Sequence, residues 1–215
     1  SGAQLPPQLI YQRKQQQQVW QDQATMLTDS AIATVHDLQI PHPAGHQIPA
    51  HYYLPADFDA AKKYPLIVYY YGGTMPESKK FAGPYPFQQW AAAGYLVLVV
   101  QPRGAVGYGQ DYSAWHPNDW GKAAGDDILH ATSTFLQLQP AADKTRIGHI
   151  GASYGGFMTM YLASHSRMFK AGVAHAGIST LSSYWGQGQW GIGYSQVASA
   201  GSYPWNNPSM YTSQS

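Results

Sequence analysis

One stretch, Gly151-Ala152-Ser153-Tyr154-Gly155-Gly156, lies between a predicted strand over Thr145–Ile150 and a predicted helix over Tyr154–Ser164. A sharp strand-to-helix turn exposes the central serine hydroxyl, and small neighbouring residues are needed to avoid clashes. The N-terminus of the following helix carries partial positive charge that stabilises an oxyanion, and the backbone N–H of Tyr154 is the expected first donor. The stretch therefore predicts a nucleophile elbow at Ser153, in preference to a tight structural turn.

Strands and helices alternate on both sides of this stretch, which predicts an α/β domain with a mostly parallel sheet. The predicted strands are Ala31–Ile40, Ile48–Leu54, Leu66–Tyr71, Tyr95–Val100, Thr145–Ile150 and Ala171–Ala176. The predicted helices are Phe87–Ala93, Asp126–Leu138 and Tyr154–Ser164. The helix over Asp126–Leu138 is expected to carry acidic residues in its first turn. The first two strands are expected to pair in antiparallel fashion.

The two ends of the chain differ from this regular middle. Residues 1–30 are polar and Gln-rich, which predicts a linker or interdomain arm, with a helix over about 11–26 as the alternative. Residues 31–215 are expected to form a partial catalytic domain. Within it, residues 179–215 are rich in Gly, Ser, Tyr and Trp, and we expect them to cross the face of the sheet.

Composition excludes several classes of protein. The 215 residues fit one ordinary domain, and 12 basic against 11 acidic residues give no charge that favours nucleic acid or a membrane surface. The chain has no Cys, so disulfides, thiolate zinc sites and a Cys nucleophile are excluded. Its longest apolar run, Tyr95–Val100, is too short to span a membrane. Position 1 is Ser, so we expect that the chain was processed or cut from a longer one.

Several blocks besides the elbow occur in an order typical of one enzyme family. They are Lys62–Val68 leading into Tyr71-Gly72-Gly73, Pro102-Arg103-Gly104 with Gly107-Tyr108-Gly109, Trp120-Gly121-Lys122 with Asp126-Asp127, Arg146-Ile147-Gly148, Ala171–Ala174 and Ser183-Tyr184-Trp185. Over roughly residues 33–215 the sequence resembles the prolyl oligopeptidase family of serine peptidases, especially its dipeptidyl peptidase IV and acylaminoacyl-peptidase branches. The resemblance implies an α/β-hydrolase fold with helices on both faces of the sheet, usually preceded by a β-propeller that admits only short peptides.

The resemblance also implies roles for individual residues. Ser153 matches the nucleophile, and Tyr71 matches the tyrosine whose hydroxyl completes the oxyanion hole beside the Tyr154 amide. The position of Tyr71 at the end of a strand supports this role, because α/β-hydrolases present their second oxyanion donor there. Tyr69 and Tyr70 are alternatives if the strand register differs, and three core tyrosines without a catalytic role are a further alternative.

The family builds an apolar pocket, for the residue before the scissile bond, from positions that match Ile178, Tyr184 and Trp185. Plain core packing of these three side chains is the alternative.

The sequence departs from the family after the elbow. The triad of this fold follows the order Ser, acid, His, but no Asp or Glu follows Ser153. The only later histidines are His165 and His175, and neither is placed like the family's base. We therefore expect six of eight core strands here, with the triad acid and base beyond residue 215. The 215 residues alone should be nearly inactive, and stable only if further chain or another copy completes the sheet.

Three functions remain open at this point. The first is a serine peptidase that hydrolyses short peptides through an acyl-enzyme at Ser153. The second is a carboxylesterase of the same fold, and the third is a non-catalytic binding module that kept the scaffold. The expected partners are a peptide substrate, the missing C-terminal segment and an N-terminal β-propeller, with no nucleic acid and no membrane. An oligomer is left open, and the resemblance alone favours a bacterial periplasmic location.

Three other motifs give weaker evidence for a functional site. His42 and His46 flank a turn, so we expect no metal site there. The glycines of 104–109 do not match a dinucleotide fingerprint, and no cofactor is expected. Arg103 is expected to form a structural ion pair with Asp126 or Asp127.

Overall fold

The computed structural model describes residues 4, 9–13, 16–20, 32–71, 75–79, 81, 83–187, 189, 191, 193 and 198–215. Its strands are β1 (Leu9–Arg13), β2 (Gln16–Trp20), β3 (Thr34–Pro41), β4 (Gln47–Leu54), β5 (Tyr64–Tyr70), β6 (Leu96–Val100), β7 (Ala142–Ala152) and β8 (Ala171–His175). Its helices are α1 (Phe87–Ala92), α2 (Gln110–Ser113), α3 (Lys122–Leu138), α4 (Tyr154–His165), α5 (Leu181–Gly186) and α6 (Pro208–Ser213).

Six strands form one sheet in the order β3-β4-β6-β5-β7-β8. The β3–β4 and β4–β6 pairs are antiparallel, and the pairs of β5 with β6, β5 with β7 and β7 with β8 are parallel. The six predicted strands and the mostly parallel sheet are thus confirmed. Because parallel strands end at one edge of a sheet, the carboxyl ends of β5, β7 and β8 meet where the predicted elbow lies.

Alternate residues of the central strands enter two separate cores. Leu66, Val68 and Tyr70 of β5 pack with α3 and α4 on one face of the sheet, whereas Tyr69 packs with α1 on the other. Side chains of a strand point to opposite faces in turn, so a strand that is apolar throughout must be covered on both sides. The continuous apolar and aromatic run of β5 therefore follows from its central position.

The helix α3 begins one turn earlier than the sequence predicted. It starts at Lys122 rather than Asp126, and its first turn holds no acidic residue. Instead the carboxylate of Asp119, three residues before the helix, accepts hydrogen bonds from the backbone N–H groups of Lys122 and Ala123. An acidic side chain beyond the helix thus satisfies amides that would otherwise lack partners.

The two ends of the chain also hold structure that the sequence did not predict. The strands β1 and β2 pair antiparallel, so residues 9–13 and 16–20 of the Gln-rich segment are strands and not part of the alternative helix. In residues 179–215, α5 and α6 are short helices joined to the core by side-chain contacts: Gln214 accepts from the amides of Trp120 and Gly121. Whether the N-terminal segment is an interdomain arm stays a prediction. Within the described residues, no helix has the length and apolar character needed to cross a membrane.

The sheet ends at β8, whose outer edge pairs with no other described strand. All five residues of β8 are exposed, and Val173 in particular is 56% exposed. Beside it runs an apolar groove that is lined partly by Ile67, Trp90 and Ile147. An edge of this kind is open to pairing with a further strand.

Buried histidines should make the domain sensitive to acid, and His51 offers the sharpest case. Its side chain is buried on β4, Nε2 has no hydrogen-bond partner among the described residues, and burial lowers its pKa to about 4. Because the unfolded chain binds this proton near pH 6.5, stability falls as the pH drops from about 6.5 towards 4. The loss from this one group should reach about 2 kcal/mol at pH 5.

We therefore expect that His51→Leu removes about 2 kcal/mol of the stability difference between pH 7 and pH 5. Hydrogen exchange of the buried β6 amides at both pH values measures the free energy of opening this sheet. If the free energy of opening differs between pH 7 and pH 5 by the same amount in His51→Leu as in the natural protein, His51 must bind its proton equally in the folded and the unfolded state.

Candidate active site

Ser153 occupies the turn between β7 and α4 in a strained backbone conformation. Its φ is 55° and its ψ is −114°, in the region that favours glycine, and its side chain is exposed. Its backbone N–H donates to the carbonyl oxygen of His175 at 2.9 Å, which fastens the turn to the end of β8. A non-glycine residue held at positive φ indicates a position that the surrounding structure enforces. The turn has the geometry that the sequence predicted for a nucleophile elbow.

Two glycines allow the chain to turn so sharply. A Cβ atom on Gly151 would lie 2.5 Å from the carbonyl oxygen of Gly155, and one on Gly155 would lie 2.5 Å from the carbonyl oxygen of Tyr71. Both distances are far below van der Waals contact, so any side chain would force the segments apart. The glycines therefore bring the first turn of α4 directly against the end of β5.

Tyr71 follows β5 and lies beside the elbow. Its buried ring stacks on the ring of Tyr154 with a centroid distance of 5.4 Å and an interplanar angle of 28°. The two alternatives have other partners: the hydroxyl of Tyr69 donates to Glu77, and that of Tyr70 bonds to His149. Of the three tyrosines, Tyr71 is the one whose ring packs on the residue after Ser153. Gly72 and Gly73, the remainder of the motif, lie outside the described residues.

The side chain of Tyr154 points into the protein and leaves its amide at the elbow. Its hydroxyl donates to the carbonyl oxygen of Trp120, and its ring meets the ring of His116 edge-on at 5.0 Å. Burial lowers the pKa of His116 to about 4, so this imidazole is neutral at pH 7. The sequence did not assign a supporting role to His116, although the Trp120-Gly121-Lys122 block marked the segment that follows it.

The three predicted pocket residues pack against the same core but differ in their aromatic contacts. Ile178, Tyr184 and Trp185 are all partly buried against the main core. The ring of Tyr184 lies 5.7 Å from that of Trp120, which also supports Tyr154. Trp185 meets the exposed Trp205 edge-on at 4.8 Å. Tyr184 is thus linked to the elbow through one aromatic ring, whereas the ring contacts of Trp185 are with Tyr203 and Trp205. Their role in binding a substrate stays a prediction.

The histidines that follow Ser153 are engaged elsewhere. His165 lies at the far end of α4, about 18 Å along a helix of this length, and its ring stacks on Tyr161. The ring of His175 bonds through Nδ1 to the hydroxyl of Tyr85 at 2.6 Å. Because no Asp or Glu follows Ser153 in the sequence, neither imidazole has a carboxylate in the order that the triad requires.

One group of described residues has the spacing of metal ligands: His42, His46 and Asp127, whose ligand atoms lie within 4.8 Å of one another. The carboxylate of Asp127, however, already accepts from the guanidinium Nε of Arg103 at 3.0 Å and from His46 Nε2 at 3.1 Å. The Nδ1 atom of His42 accepts the backbone N–H of Ala44, which puts the proton of the neutral ring on Nε2. The Asp127 carboxylate is thus surrounded by N–H donors, which suits a hydrogen-bonded ion pair better than a metal ion. The predicted pairing of Arg103 with one of the two aspartates is confirmed, and its partner is Asp127.

Comparison with known proteins decides the family. The family model described as "Prolyl oligopeptidase family" matches residues 83–215, which include the elbow. The chain belongs to the prolyl oligopeptidase family. A second family model, described as "Acetyl xylan esterase (AXE1)", matches residues 12–123 and so does not reach Ser153.

Individual members of the prolyl oligopeptidase family agree with this placement. An uncharacterized peptidase of Bacillus subtilis is 36% identical over 141 residues, which is 65% of this chain and 21% of the relative. A dipeptidyl-peptidase 5 of Porphyromonas gingivalis is 38% identical over 130 residues, which is 60% of this chain and 19% of the relative. The solved structure of an acylaminoacyl peptidase in complex with Z-Gly-Gly-Phe-chloromethyl ketone superposes with a TM-score of 0.84 at 27% identity. This match covers all of our chain and 34% of the chain in the solved structure.

The chain is thus an α/β-hydrolase of a serine peptidase family, and it spans about a fifth of the curated relatives' length.

Proposed function

We propose that the natural protein containing this chain is a serine peptidase that cleaves short peptides, with Ser153 as its nucleophile. The observation that carries the proposal is the exposed Ser153 at φ 55°, between β7 and a helix N-terminus, in a chain of this family. Strain at a solvent-facing hydroxyl has no packing benefit, whereas it presents a nucleophile in front of oriented amides.

The proposed reaction begins with attack by Ser153 Oγ on the carbonyl carbon of the scissile bond. The negative charge that develops on the carbonyl oxygen is held by the Tyr154 amide and the Tyr71 hydroxyl. Collapse of this intermediate expels the amine and leaves an acyl group on Ser153, which water then hydrolyses. The stacking of Tyr71 on Tyr154 supports this assignment, because it holds both donors against one turn of chain.

Proton transfer needs a base that we place outside the 215 residues. A serine hydroxyl is a weak nucleophile without an adjacent imidazole, and His165 and His175 are both engaged elsewhere. We propose that a further segment supplies the acid and the base, and that it also pairs with the open edge of β8. On this proposal the 215 residues alone retain at most slow reaction from the oxyanion hole.

The names of the relatives favour peptides as substrates, since they include dipeptidyl-peptidases and acylaminoacyl peptidases. A β-propeller that restricts access to short peptides would fit the length by which the relatives exceed this chain. Ester hydrolysis is the second candidate, because the acetyl xylan esterase model matches residues 12–123. The same elbow and oxyanion hole can serve either bond.

We expect a fluorophosphonate probe to label the natural protein at Ser153, and Ser153→Ala to abolish the labelling. Intact mass and peptide mapping of the labelled polypeptide locate the modified residue. The exposed Ser182 lies outside the elbow, and Ser182→Ala should label like the natural protein. Turnover of a dipeptide amide and of a simple aryl ester by the same preparation then separates peptidase from esterase. A folded natural protein that never labels would instead favour a non-catalytic binding module.

A further inference from the structure

A chain of buried hydrogen bonds runs behind the elbow, on the face of the sheet covered by α4. The hydroxyl of Thr159 donates to the carbonyl oxygen of Gly155 at 2.8 Å. The hydroxyl of Tyr70 lies 2.9 Å from Thr159 Oγ1 and 2.8 Å from His149 Nδ1. Tyr70, His149 and Thr159 are all at least 95% buried. Four residues from β5, β7 and α4 are thus joined in one line that ends two positions after Ser153.

The protons in this line can be assigned from the number of donors. Thr159 has a single hydroxyl proton, which it gives to Gly155, so its oxygen accepts from Tyr70. Tyr70 then has no proton left for the imidazole and must accept one from His149 Nδ1–H. Burial lowers the pKa of His149 to about 4, so the ring is neutral at pH 7 and carries its one proton on Nδ1. Each group in the line therefore donates one proton to the next, from His149 through Tyr70 and Thr159 to Gly155.

The imidazole at the start of the line is fixed from its other sides. Its ring stacks on Phe169 with a centroid distance of 4.0 Å and an interplanar angle of 2°. Its Nε2 atom faces Gly172 of β8 so closely that a Cβ there would lie 2.6 Å away. His149 cannot turn without moving these neighbours, so it provides a rigid end for the hydrogen bonds.

At the other end, the hydrogen bonds hold the carbonyl group of Gly155, which lies close to both proposed oxyanion donors. Gly155 lies against the carbonyl oxygens of Tyr70 and Tyr71, and its own carbonyl is held by Thr159. Tyr154, whose amide is one donor, precedes Gly155, and Tyr71, the other donor, follows Tyr70. A hydrogen bond that joins Tyr70 to α4 therefore sets the distance between both donors.

We propose that Tyr70 and His149 are positioning residues that fix the first turn of α4, and with it the Tyr154 amide, relative to Tyr71. They touch no substrate and act through Thr159 and Gly155. The kinetic part of this inference rests on the proposed peptidase function, whereas the structural part does not. Small displacements of aligned groups lower the rate far more than they weaken binding of the substrate.

The first test compares Tyr70→Phe with Tyr53→Phe in the natural protein. Tyr53 is also a buried strand tyrosine, but its hydroxyl has no hydrogen-bond partner in the part of the chain that the structure describes. We expect Tyr70→Phe to lower kcat by about tenfold or more with KM changed less than twofold, and Tyr53→Phe to leave both unchanged. An unchanged kcat in Tyr70→Phe would overturn the kinetic part.

A double variant separates positioning from simple loss of stability. Tyr70→Phe alone leaves the imidazole of His149 buried without its partner, which should lower the thermal midpoint. Adding His149→Leu removes that imidazole, so the thermal midpoint of the double variant should return towards that of the natural protein. We expect kcat to stay low, because Thr159 still lacks its donor. Recovery of kcat together with the thermal midpoint would mean that the network is only structural and would overturn the proposal.

Hydrogen exchange provides a readout that needs no activity. In Tyr70→Phe the amides of Phe157–Leu162 should exchange about tenfold faster than in the natural protein, with no such change in Tyr53→Phe. Equal exchange in Tyr70→Phe would overturn the structural part. Faster exchange in a protein whose Ser153 never labels would support the positioning network and reject the proposed peptidase function.

Discussion

If Tyr71 is an oxyanion donor, as we propose, replacing it by Phe is expected to lower kcat about 10²–10³-fold while KM changes little. The proposed interaction forms only when negative charge develops on the carbonyl oxygen, so it would stabilise the transition state by about 3–4 kcal/mol more than the bound substrate. The ring of Tyr71 stacks on Tyr154, and Phe preserves that contact. Steady-state kinetics with a dipeptide amide or aryl ester measure the effect in the natural protein.

The neighbouring tyrosines provide matched controls for this prediction. Tyr69 has the same residue type two positions earlier in the chain, but its hydroxyl donates to Glu77 on the face covered by α1. Tyr69→Phe should therefore keep kcat within about threefold, and Tyr53→Phe should leave it unchanged. A larger loss in Tyr69→Phe than in Tyr71→Phe would reject the assignment of Tyr71.

The elbow and the central strands could be predicted because their signals are local. The glycines of 151–156 are needed by the turn itself, and β5 is apolar throughout because it lies between two strands and two layers of helices. Three consecutive tyrosines, in contrast, are equivalent in the sequence. Only their partners on the two faces of the sheet distinguish Tyr71 from Tyr69 and Tyr70.

Features that depend on distant contacts were not predicted. The start of α3 depends on the Asp119 carboxylate, and the short helices α5 and α6 depend on contacts such as that of Gln214 with Trp120. The hydrogen bond between Tyr70 and His149 joins residues 79 positions apart. A histidine inside a strand gives no sign of its partner, so the network behind the elbow could be found only from the structure.

Replacing Asp127 by Asn is expected to destabilise the domain by about 3–5 kcal/mol, because it leaves the buried charge of Arg103 uncompensated. The carboxylate is fully buried, and its oxygens accept from the Arg103 backbone N–H at 2.8 Å and from the guanidinium Nε at 3.0 Å. An amide side chain has only one acceptor atom and no charge. Hydrogen exchange of the β6 amides in the natural protein measures the loss, independently of any other domain.

The adjacent Asp126 is a matched control for Asp127, since it pairs with Lys122 at an exposed surface. Asp126→Asn should change the stability by less than about 0.5 kcal/mol, because exposed pairs of this spacing contribute little. Replacing both buried partners, in Asp127→Leu with Arg103→Met, should recover much of the loss, since no lone charge remains. If Asp127→Asn lowers the free energy of unfolding by less than about 1 kcal/mol, Arg103 must find another partner or reach water. The ion pair of Arg103 with Asp127 would then not be the contact that joins α3 to the loop after β6.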